Sequence, residues 1–497
     1  MDLTAVQFPD IALAGGADAQ ARATIRLLAS GGDARIALDP QTGLNRYLSA
    51  PYPRRTLAYA SSTANDLSPA AFAHACACAA AVAESYEVRL ERLRARIRRA
   101  YGLDDACAIV FAPSGTDLEY VALAAVRGRA AGGVHNVLLG ADEVGSGCIH
   151  SAHGRYFADE TALGFATVPG EPVAGMGPVV LADVAVRCGD GLAHTSADIA
   201  DAIAAQIVLA RAAGRHALVH VVHGSKTGLI LPELREIDAL GARFDAAASF
   251  VVDACQARIT STAVRAYLDR GAMVFLTGSK FMGAAPFNGF ALVPGGVAAV
   301  APPLPEGFAR LFRRAEWPPG WPGREALADD DNPGLWLRLE SAVFELERFQ
   351  RLPQPQVERI IAAFQNAVER DLAAPLGLGI VAPHAAADPR ANVGVAPIRP
   401  IEMLTLVTLD VGTLPAARSF DLAQAVHRRM ALAGVRLGQP AKCVRRLGRD
   451  GPEWGGTLRV GLSMPQFSDW APLDDQALAA QLGTDMARIA EALHAAT

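Results

Sequence analysis

Two short apolar runs in the middle of the chain each lead to a charged residue, and this pattern constrains the fold more than any other feature. Residues 249–252, SFVV, lead into Asp253, and residues 272–277, AMVFLT, lead through a Gly-Ser pair to Lys280. Unbroken apolar runs of this length are typical of buried strands in a parallel sheet. Because the carboxyl ends of such strands meet at one edge, we expect Asp253 and Lys280 to face the same crevice.

A carboxylate and a lysine at one crevice are two groups that pyridoxal phosphate (PLP) needs from a protein. Lys280 would carry the cofactor as a Schiff base, and Asp253 would pair with the pyridinium nitrogen and keep it protonated. Gln256, three residues after Asp253, is a candidate donor to the phenolic oxygen of the ring. The alternative interpretation is that Asp253 caps a strand and Lys280 is a surface loop residue.

A second apolar run upstream ends in a turn that suits a phosphate group. Residues 108–112, AIVFA, are followed by Pro113, then by Ser114, Gly115 and Thr116, and then by a helical pattern over 118–126. A strand, a tight turn and a helix start place free backbone amides at the positive end of a helix. Ser114, Gly115 and Thr116 are therefore the candidate phosphate ligands. The alternative is an ordinary helix cap, since serine and threonine are common capping residues.

Together these residues resemble the fold type I PLP-dependent enzymes, and more narrowly the class V aminotransferase and cysteine desulfurase group. Residues 253–256, DACQ, are similar to the group's Asp-Ala-x-Gln motif, and residues 277–280, TGSK, are similar to its Ser-x-His-Lys motif. The resemblance implies that Thr277 and Ser279 also reach the phosphate. Residues 225–228, SKTG, look like the group's Asn-Glu-Thr-Gly segment, which implies a cofactor contact for Ser225 in place of the asparagine.

Near the C-terminus, residues 456–463, GTLRVGLS, look like the group's Arg-x-Ser strand. The resemblance implies that Arg459 holds the substrate carboxylate, for which a guanidinium offers a bidentate fork. The alternative is a strand-end arginine at the surface.

The chain also departs from the family pattern. Relatives present a Glu-His segment whose histidine stacks on the cofactor ring, whereas residues 142–147 here read DEVGSG. His150 and His153 follow closely and are the candidates for that ring contact, and the alternative is that both are loop histidines facing solvent. Cys443 lies where desulfurases place their nucleophile, but it lacks the small-residue loop of those relatives. We therefore expect Cys443 to be structural.

Composition and charge narrow the class of protein. The chain has 497 residues, 51% of them hydrophobic, and a formal net charge of −5, which offers no general attraction to nucleic acid. An arginine-rich run over 89–99 has apolar residues at helical spacing, so we interpret it as the solvated face of a helix. The seven cysteines suit a reducing compartment, and no metal site is expected. With no leader pattern and no long apolar span, we predict a cytoplasmic protein without a membrane partner.

The motifs divide the chain into four predicted units. Residues 1–105 would form an N-terminal extension with entry helices, from which Asn45 is a candidate substrate contact. Residues 106–300 alternate strand and helix, which predicts a large α/β domain with a mainly parallel, seven-stranded-type sheet and crossover helices. A loop and a connecting long helix occupy 301–360. A small C-terminal α+β domain occupies 361–497.

The function expected from these features is PLP-dependent catalysis on a small amino acid, of the aminotransferase kind. Lys280 would move the α-proton, and Asp253 would stabilise the negative charge that develops. A lyase or a carbon–carbon bond-forming enzyme, desulfurases included, is the first alternative. A non-enzymatic PLP-binding regulator or a silent paralogue is the second. The resemblance also implies a homodimer with its active site at the interface.

Overall fold

The computed structural model describes residues 17–141, 143, 147–383, 401–448 and 451–497. The α-helices are α1 Ala17–Leu28, α2 Pro69–Ala80, α3 Tyr86–Tyr101, α4 Leu118–Val126, α5 Cys148–Ala152, α6 Ser196–Ala212, α7 Leu234–Phe244, α8 Ser261–Leu268, α9 Gly295–Ala298, α10 Pro333–Gln350, α11 Gln354–Ala367, α12 Ala374–Leu376, α13 Phe420–Leu432, α14 Met464–Trp470 and α15 Asp475–Ala496.

The strands alternate with these helices through the first two thirds of the chain. They are β1 Leu57–Tyr59, β2 Ala108–Ala112, β3 Val134–Leu139, β4 Val179–Val184, β5 His216–His223, β6 Ile230–Leu231, β7 Ala248–Asp253, β8 Met273–Thr277, β9 Gly289–Val293, β10 Gly379–Ile380, β11 Leu406–Asp410, β12 Val435–Leu437, β13 Arg445–Gly448, β14 Gly451–Trp454 and β15 Thr457–Gly461.

The central sheet has the strand order β2-β9-β8-β7-β5-β3-β4, with β6 paired to β5. The pairs from β8 through β4 are parallel, whereas β9 runs antiparallel to both of its neighbours. Every residue of β3, β5 and β8 is buried. Burial along the whole strand is typical of parallel strands that are covered on both faces. The predicted mainly parallel sheet with crossover helices is confirmed.

The two strands that carry the predicted site groups are direct neighbours. β7 and β8 pair in parallel, with Val251 opposite Met273 and Asp253 opposite Phe275. Their carboxyl ends therefore lie at the same edge of the sheet, beside the start of α4, which follows β2. This arrangement was the central expectation from the two apolar runs.

A long helix connects the large sheet to the C-terminal part. α10 begins at the capping residue Asn332, whose side chain accepts a hydrogen bond from the backbone N–H of Leu335. It packs against α1, α2, α3 and α14. α10 is the connecting long helix that the sequence predicts within 301–360.

The C-terminal part contains a small antiparallel sheet in the order β10-β11-β15. Helix α13 packs against β15 of this sheet, and α15 packs against both α13 and α11. The N-terminal region joins this part, because β1 pairs in parallel with β12. The exact domain boundaries at 105, 300 and 360 stay predictions. Within the described ranges, no helix is both long enough and apolar enough to cross a membrane.

Candidate active site

A cavity of about 370 Å³ opens at the carboxyl edge of the parallel strands. This size falls in the range of small-molecule sites. The N-terminal region, the large sheet and the C-terminal part all contribute to its wall. Its charged and polar lining comprises Arg35, Tyr47, Ser62, Thr63, Ser114, Thr116, Glu143, Cys148, Ser225, Lys226, Asp253, Cys255, Gln256, Thr277, Ser279, Lys280, Asn288, Gln424, Gln439 and Arg459.

Asp253 and Lys280 both line this cavity, as the two strand ends predict. Asp253 is the last residue of β7, and its Oδ1 accepts a hydrogen bond of 2.9 Å from the backbone N–H of Cys255. Lys280 is half-buried in the turn after β8. The Nδ2 of Asn65 donates to the carbonyl oxygens of Lys280 at 2.6 Å and of Ser279 at 3.3 Å. The lysine backbone is thus held by the N-terminal region.

The turn between β2 and α4 also lines the cavity with Ser114, Gly115 and Thr116. A Cβ at Gly115 would lie 2.9 Å from Cγ2 of Thr277, so the close approach of the turn to β8 requires glycine. The hydroxyl of Ser114 donates to Oδ2 of Asp117 at 2.5 Å. Burial raises the pKa of Asp117 to about 7.

Arg35, which sequence reasoning missed, lies directly against this turn. Its Nη2 donates to Oγ of Ser114 at 3.1 Å, and its Nη1 donates to Oγ1 of Thr116 at 3.3 Å. Burial opposes its charge, but the hydrogen bond to Asp33 and the charge of that carboxylate outweigh the burial and raise the pKa of Arg35. No short motif marks Arg35, because its partners lie about eighty residues away in the sequence.

Thr277 and Ser279 also line the cavity, as the resemblance implies. The Oγ1 of Thr277 donates its hydrogen to the carbonyl oxygen of Cys255 at 2.6 Å. A ligand can therefore use the lone pairs of Thr277, whereas the hydrogen is engaged within the protein.

Ser225 lines the cavity, but its hydroxyl hydrogen is directed away from a ligand. Its Oγ donates to Oε2 of Glu143 at 2.7 Å, and Glu143 also accepts from Thr227. Arg187 forms a buried ion pair with the same carboxylate at 2.8 Å. This polar network supports the segment that carries Ser225. Glu143 thus takes the hydrogen of the Ser225 hydroxyl, and the cofactor contact of Ser225 stays a prediction.

The side-chain amide of Gln256, at the cavity wall, is also partly hydrogen-bonded within the protein. Its Nε2 donates to the carbonyl oxygen of Ser62 at 3.2 Å, and its Oε1 accepts from Nη1 of Arg258 at 2.9 Å. The amide therefore has one N–H left for a ring oxygen. Burial, with the nearby charge of Arg459, lowers the pKa of Arg258 to about 9.

The two candidate histidines are placed elsewhere. His150 is exposed on the short helix α5, and His153 is half-buried; neither lines the cavity. Val144, which occupies the region of the family histidine, lies outside the described residues. The cavity residues that flank Val144 in sequence are Glu143 and Cys148, and burial raises the pKa of Cys148. The structure therefore does not bring His150 or His153 to the cavity wall, where the ring contact is expected.

Arg459 lines the cavity from β15 and is buried. Its Nε donates to the carbonyl oxygen of Gln439 at 2.7 Å, and its Nη1 donates to the carbonyl oxygens of Ser62 and Lys226 at 3.2 and 3.0 Å. Its Nη2 donates to Oγ1 of Thr63 at 3.1 Å. These four bonds leave one of the five N–H groups of the guanidinium for a ligand. A bidentate fork on a substrate carboxylate would require one of them to break.

The environment of Arg459 nevertheless favours an anion. Burial lowers its pKa to about 10, and among the described residues no carboxylate lies within ion-pair distance of its guanidinium. A buried cation without such a partner gains from an incoming negative charge. Arg459 is therefore both a link between three parts of the chain and a candidate anion contact.

Lys226 is a second lysine of the cavity that sequence reasoning passed over. Burial and then the charge of Arg459 lower its pKa to about 8. The sequence does contain a signal that points to Lys226. It follows Ser225 in the segment that resembles Asn-Glu-Thr-Gly, and it stands at the glutamate position. A lysine there adds positive charge where that pattern carries a negative one.

Asn45 lies beside the cavity but does not line it. Its Oδ1 accepts hydrogen bonds from the backbone N–H groups of Tyr47 and Ser49, at 2.9 and 3.2 Å. This side chain shapes a turn, a common use of asparagine. Tyr47, at the same turn, lines the cavity, and the substrate contact of Asn45 stays a prediction.

Cys443 is buried and lies outside the cavity lining. Burial raises the pKa of its thiol to about 12, which keeps it protonated at neutral pH. Its surroundings match the structural role that we expected.

One group of possible metal ligands occurs among the described residues, formed by His74 and Cys78 on α2 with Glu340 on α10. Nε2 of His74 lies 2.9 Å from Oε1 of Glu340, and Arg96 also binds that carboxylate. Hydrogen bonds to Cys78 and Glu340 raise the pKa of His74 to about 9. A protonated histidine in an ion-pair network accounts for this group.

The donor set of the cavity fits PLP. A lysine and a carboxylate end adjacent strands, and a glycine turn with two hydroxyls begins a helix. Arg35 adds a fixed positive charge beside that turn. These are the groups that an aldehyde, a pyridine nitrogen and a phosphate require.

The chain has the fold type I architecture of PLP-dependent transferases. A cysteine desulfurase from Thermococcus onnurineus NA1 is 14% identical with a TM-score of 0.51, and the alignment covers 88% of this chain and 95% of that one. Pyridoxamine-pyruvate aminotransferase from Mesorhizobium loti is 16% identical with a TM-score of 0.50, covering 90% and 98%.

A cysteine desulfurase from Escherichia coli is 12% identical with a TM-score of 0.50, covering 88% of this chain and 94% of that one. At these identities the likeness shows the fold. No family model matches the chain, and no curated protein matches it.

Proposed function

We propose that this chain is a PLP-dependent enzyme that acts on a small amino acid, in the manner of an aminotransferase. The observation that carries the proposal is that Asp253 and Lys280 end adjacent parallel strands and line one cavity with the turn of Ser114, Gly115 and Thr116. Neighbours with this fold include aminotransferases and desulfurases. PLP, when bound, supplies an electron sink for charge that develops at the substrate Cα.

Each of the cavity residues would have a separate role in this reaction. Lys280 would hold the cofactor through Nζ and, once released by the substrate amine, would take the proton from the substrate Cα. Asp253 would keep the pyridine nitrogen protonated. Arg459, with its one remaining N–H, would attract the substrate carboxylate. The walls of Tyr47, Phe420 and Gln424 would limit the size of the substrate.

The decisive experiment is borohydride reduction of the purified protein after incubation with PLP, followed by peptide mapping. We expect the reduced adduct on Lys280 and its loss in Lys280→Ala. Lys226→Ala is the matched control, because this second cavity lysine also has a lowered pKa. An adduct that persists in Lys280→Ala and disappears in Lys226→Ala would reverse the assignment, and no adduct in the wild-type protein would refute the proposal.

A lyase or a carbon–carbon bond-forming reaction shares the same first steps and is the alternative. A spectral screen of the PLP-loaded protein against amino acids, with analysis of the products, separates it from transamination. A silent paralogue is disfavoured because both Asp253 and Lys280 reach the cavity. The homodimer stays a prediction that light scattering in solution tests.

The desulfurase variant of that alternative needs a reactive thiol, and the buried position of Cys443 argues against it. We expect Cys443→Ser to retain most of its activity on the true substrate. A folded but inactive Cys443→Ser variant, together with a persulfide on wild-type Cys443 after exposure to cysteine, would make desulfuration the better proposal.

A further inference from the structure

Arg35 is fixed in place by contacts on several sides. It belongs to a short 3-10 turn, Ala34–Ile36, in the N-terminal region. Its Nε and Nη2 donate to the two carboxylate oxygens of Asp33 at 2.8 and 2.6 Å. This bidentate pair sets the plane of the guanidinium.

Two aromatic rings pack close to the guanidinium of Arg35. The Cζ of Arg35 lies 5.0 Å from the ring centre of Phe157 and 5.4 Å from that of Phe287. Phe287 has a φ of 72°, a left-handed conformation that a bulky residue rarely adopts. Nε of the buried Arg338 donates to its carbonyl oxygen at 2.7 Å. A strained residue held in this manner indicates that the position of its ring matters.

Arg338 also connects this ring to the chain that leads to Arg35. It donates to the carbonyl oxygens of Leu28, the last residue of α1, and of Gly31, at 2.9 and 3.0 Å. One buried side chain thus holds both the backbone of Phe287 and the segment that leads to Arg35.

The contacts of Arg35 leave ligand donors free at the turn. Arginine only donates, so Ser114 and Thr116 accept from it through oxygen lone pairs. Among the described residues, no acceptor is found for the hydroxyl hydrogen of Thr116 or for the backbone N–H groups of Gly115 and Thr116. Thr116 is buried, and such groups are rarely left without a partner. Gly115 and Thr116 line the same cavity as Arg35, whose guanidinium is positively charged.

The negative groups around this volume are Asp33 and Asp117. Asp33 is neutralised by its pair with Arg35. Asp117 is buried, and its raised pKa of about 7 makes the protonated form accessible at neutral pH. A protonated Asp117 removes the repulsion that an incoming anion would meet.

We propose that Arg35 provides the cationic contact for a phosphate monoester bound at the turn of Ser114, Gly115 and Thr116, so that the N-terminal region completes this subsite. The inference rests on the proposed function, since the phosphate is that of PLP. It assigns to the N-terminal extension a direct part in holding the cofactor, in addition to its contact with Lys280.

The test compares PLP with pyridoxal, which lacks the phosphate, in absorbance titrations of the apoprotein. Arg35→Gln is expected to weaken PLP binding by about tenfold to a hundredfold while leaving pyridoxal binding unchanged. Arg46→Gln is the matched control, because Arg46 is exposed in the same region and lies outside the cavity. It should bind both compounds as the wild type does.

Equal weakening of PLP and pyridoxal binding in Arg35→Gln would show a merely structural role and overturn the inference, as would unchanged binding of both. If Arg35→Gln fails to fold, Arg35→Lys replaces it. Lysine keeps the charge without the fork, so we expect an intermediate loss for PLP alone, and an equal loss for both compounds overturns the inference.

The proposed function and this inference fail in different ways. Wild-type protein that binds neither PLP nor pyridoxal refutes the proposed function. The subsite is then tested with inorganic phosphate, which should raise the thermal midpoint of the wild type and of Arg46→Gln but not that of Arg35→Gln. An equal rise in all three proteins would overturn the role of Arg35.

Discussion

The side chain of Asn65 donates to the backbone carbonyl oxygen of Lys280 at 2.6 Å, across 215 positions of sequence. The same nitrogen lies 3.3 Å from the carbonyl oxygen of Ser279. The N-terminal region therefore sets the backbone of the lysine on which the proposed chemistry depends.

Asn65→Ala should remove this support without touching the reactive amine. A buried hydrogen bond contributes about 1 kcal/mol, so the free energy of unfolding should fall by about that amount. We also expect slower attachment of PLP, measured as the growth of borohydride-trapped adduct on Lys280. Cys443→Ser serves as a control for a buried change outside the cavity. An attachment rate equal to that of wild type would show that the turn after β8 is rigid without Asn65.

Asp253→Asn should lower turnover, through the protonation state of the cofactor, much more than it affects folding. Asparagine keeps an oxygen that can accept from the backbone N–H of Cys255, as Oδ1 of Asp253 does at 2.9 Å. The variant should therefore fold and bind PLP, while turnover falls by about a thousandfold or more because the pyridine nitrogen is no longer kept protonated. Circular dichroism and cofactor content establish the first part, and steady-state rates establish the second. Near-normal turnover would contradict the role of Asp253.

The sequence predicted the elements of the site that are local. The strands before Asp253 and Lys280, the turn at Gly115 and the helix α4 each arise from a short pattern of apolar, small and capping residues. Their meeting at one edge follows from parallel pairing, which β7 and β8 show directly. Local patterning was therefore sufficient for the fold and for the centre of the site.

The remaining features depend on contacts between distant segments, for which a single sequence carries no periodic signal. Arg35 reaches Thr116 across 81 positions, and Arg187 reaches Glu143 across 44. The same long-range partners determine which hydrogen-bonding groups of the predicted site residues are already engaged. Glu143 takes the hydrogen of Ser225, and backbone carbonyls take most donors of Arg459. The residue type at a motif position does not show which of its hydrogen-bonding groups are already used by neighbouring residues.

Arg459→Ala should cost stability as well as substrate affinity. It removes four hydrogen bonds and leaves the carbonyl oxygens of Gln439, Ser62 and Lys226 without this donor. We expect the free energy of unfolding to fall by about 3 to 5 kcal/mol. Arg459→Lys is the sharper variant, since it keeps a cation in the cavity.

For Arg459→Lys we expect KM to rise by about tenfold with a smaller change in kcat, because the lost contact binds the substrate carboxylate. Denaturant melts measure the stability cost in the same protein. An unchanged KM in a destabilised Arg459→Lys variant would assign Arg459 to the architecture alone.

Asp117 should make both stability and cofactor binding depend on pH. Burial raises its pKa from 3.8 to about 7, so the folded protein holds this proton more tightly than the unfolded chain does. The stability linked to that proton is fully present below about pH 4 and is lost as pH rises through about 7. Asp117→Asn cannot ionise, so its free energy of unfolding should fall less over this interval than that of the wild type.

The same proton should govern PLP affinity, because an ionised Asp117 beside Ser114 repels a phosphate. We expect the wild-type dissociation constant for PLP to increase between pH 6 and pH 8 by more than that of Asp117→Asn, with the two proteins similar at the acidic end. Pyridoxal, which carries no phosphate, is the control ligand and should show no such difference between them. Parallel pH profiles for PLP in both proteins would exclude Asp117 as the titrating group at this subsite.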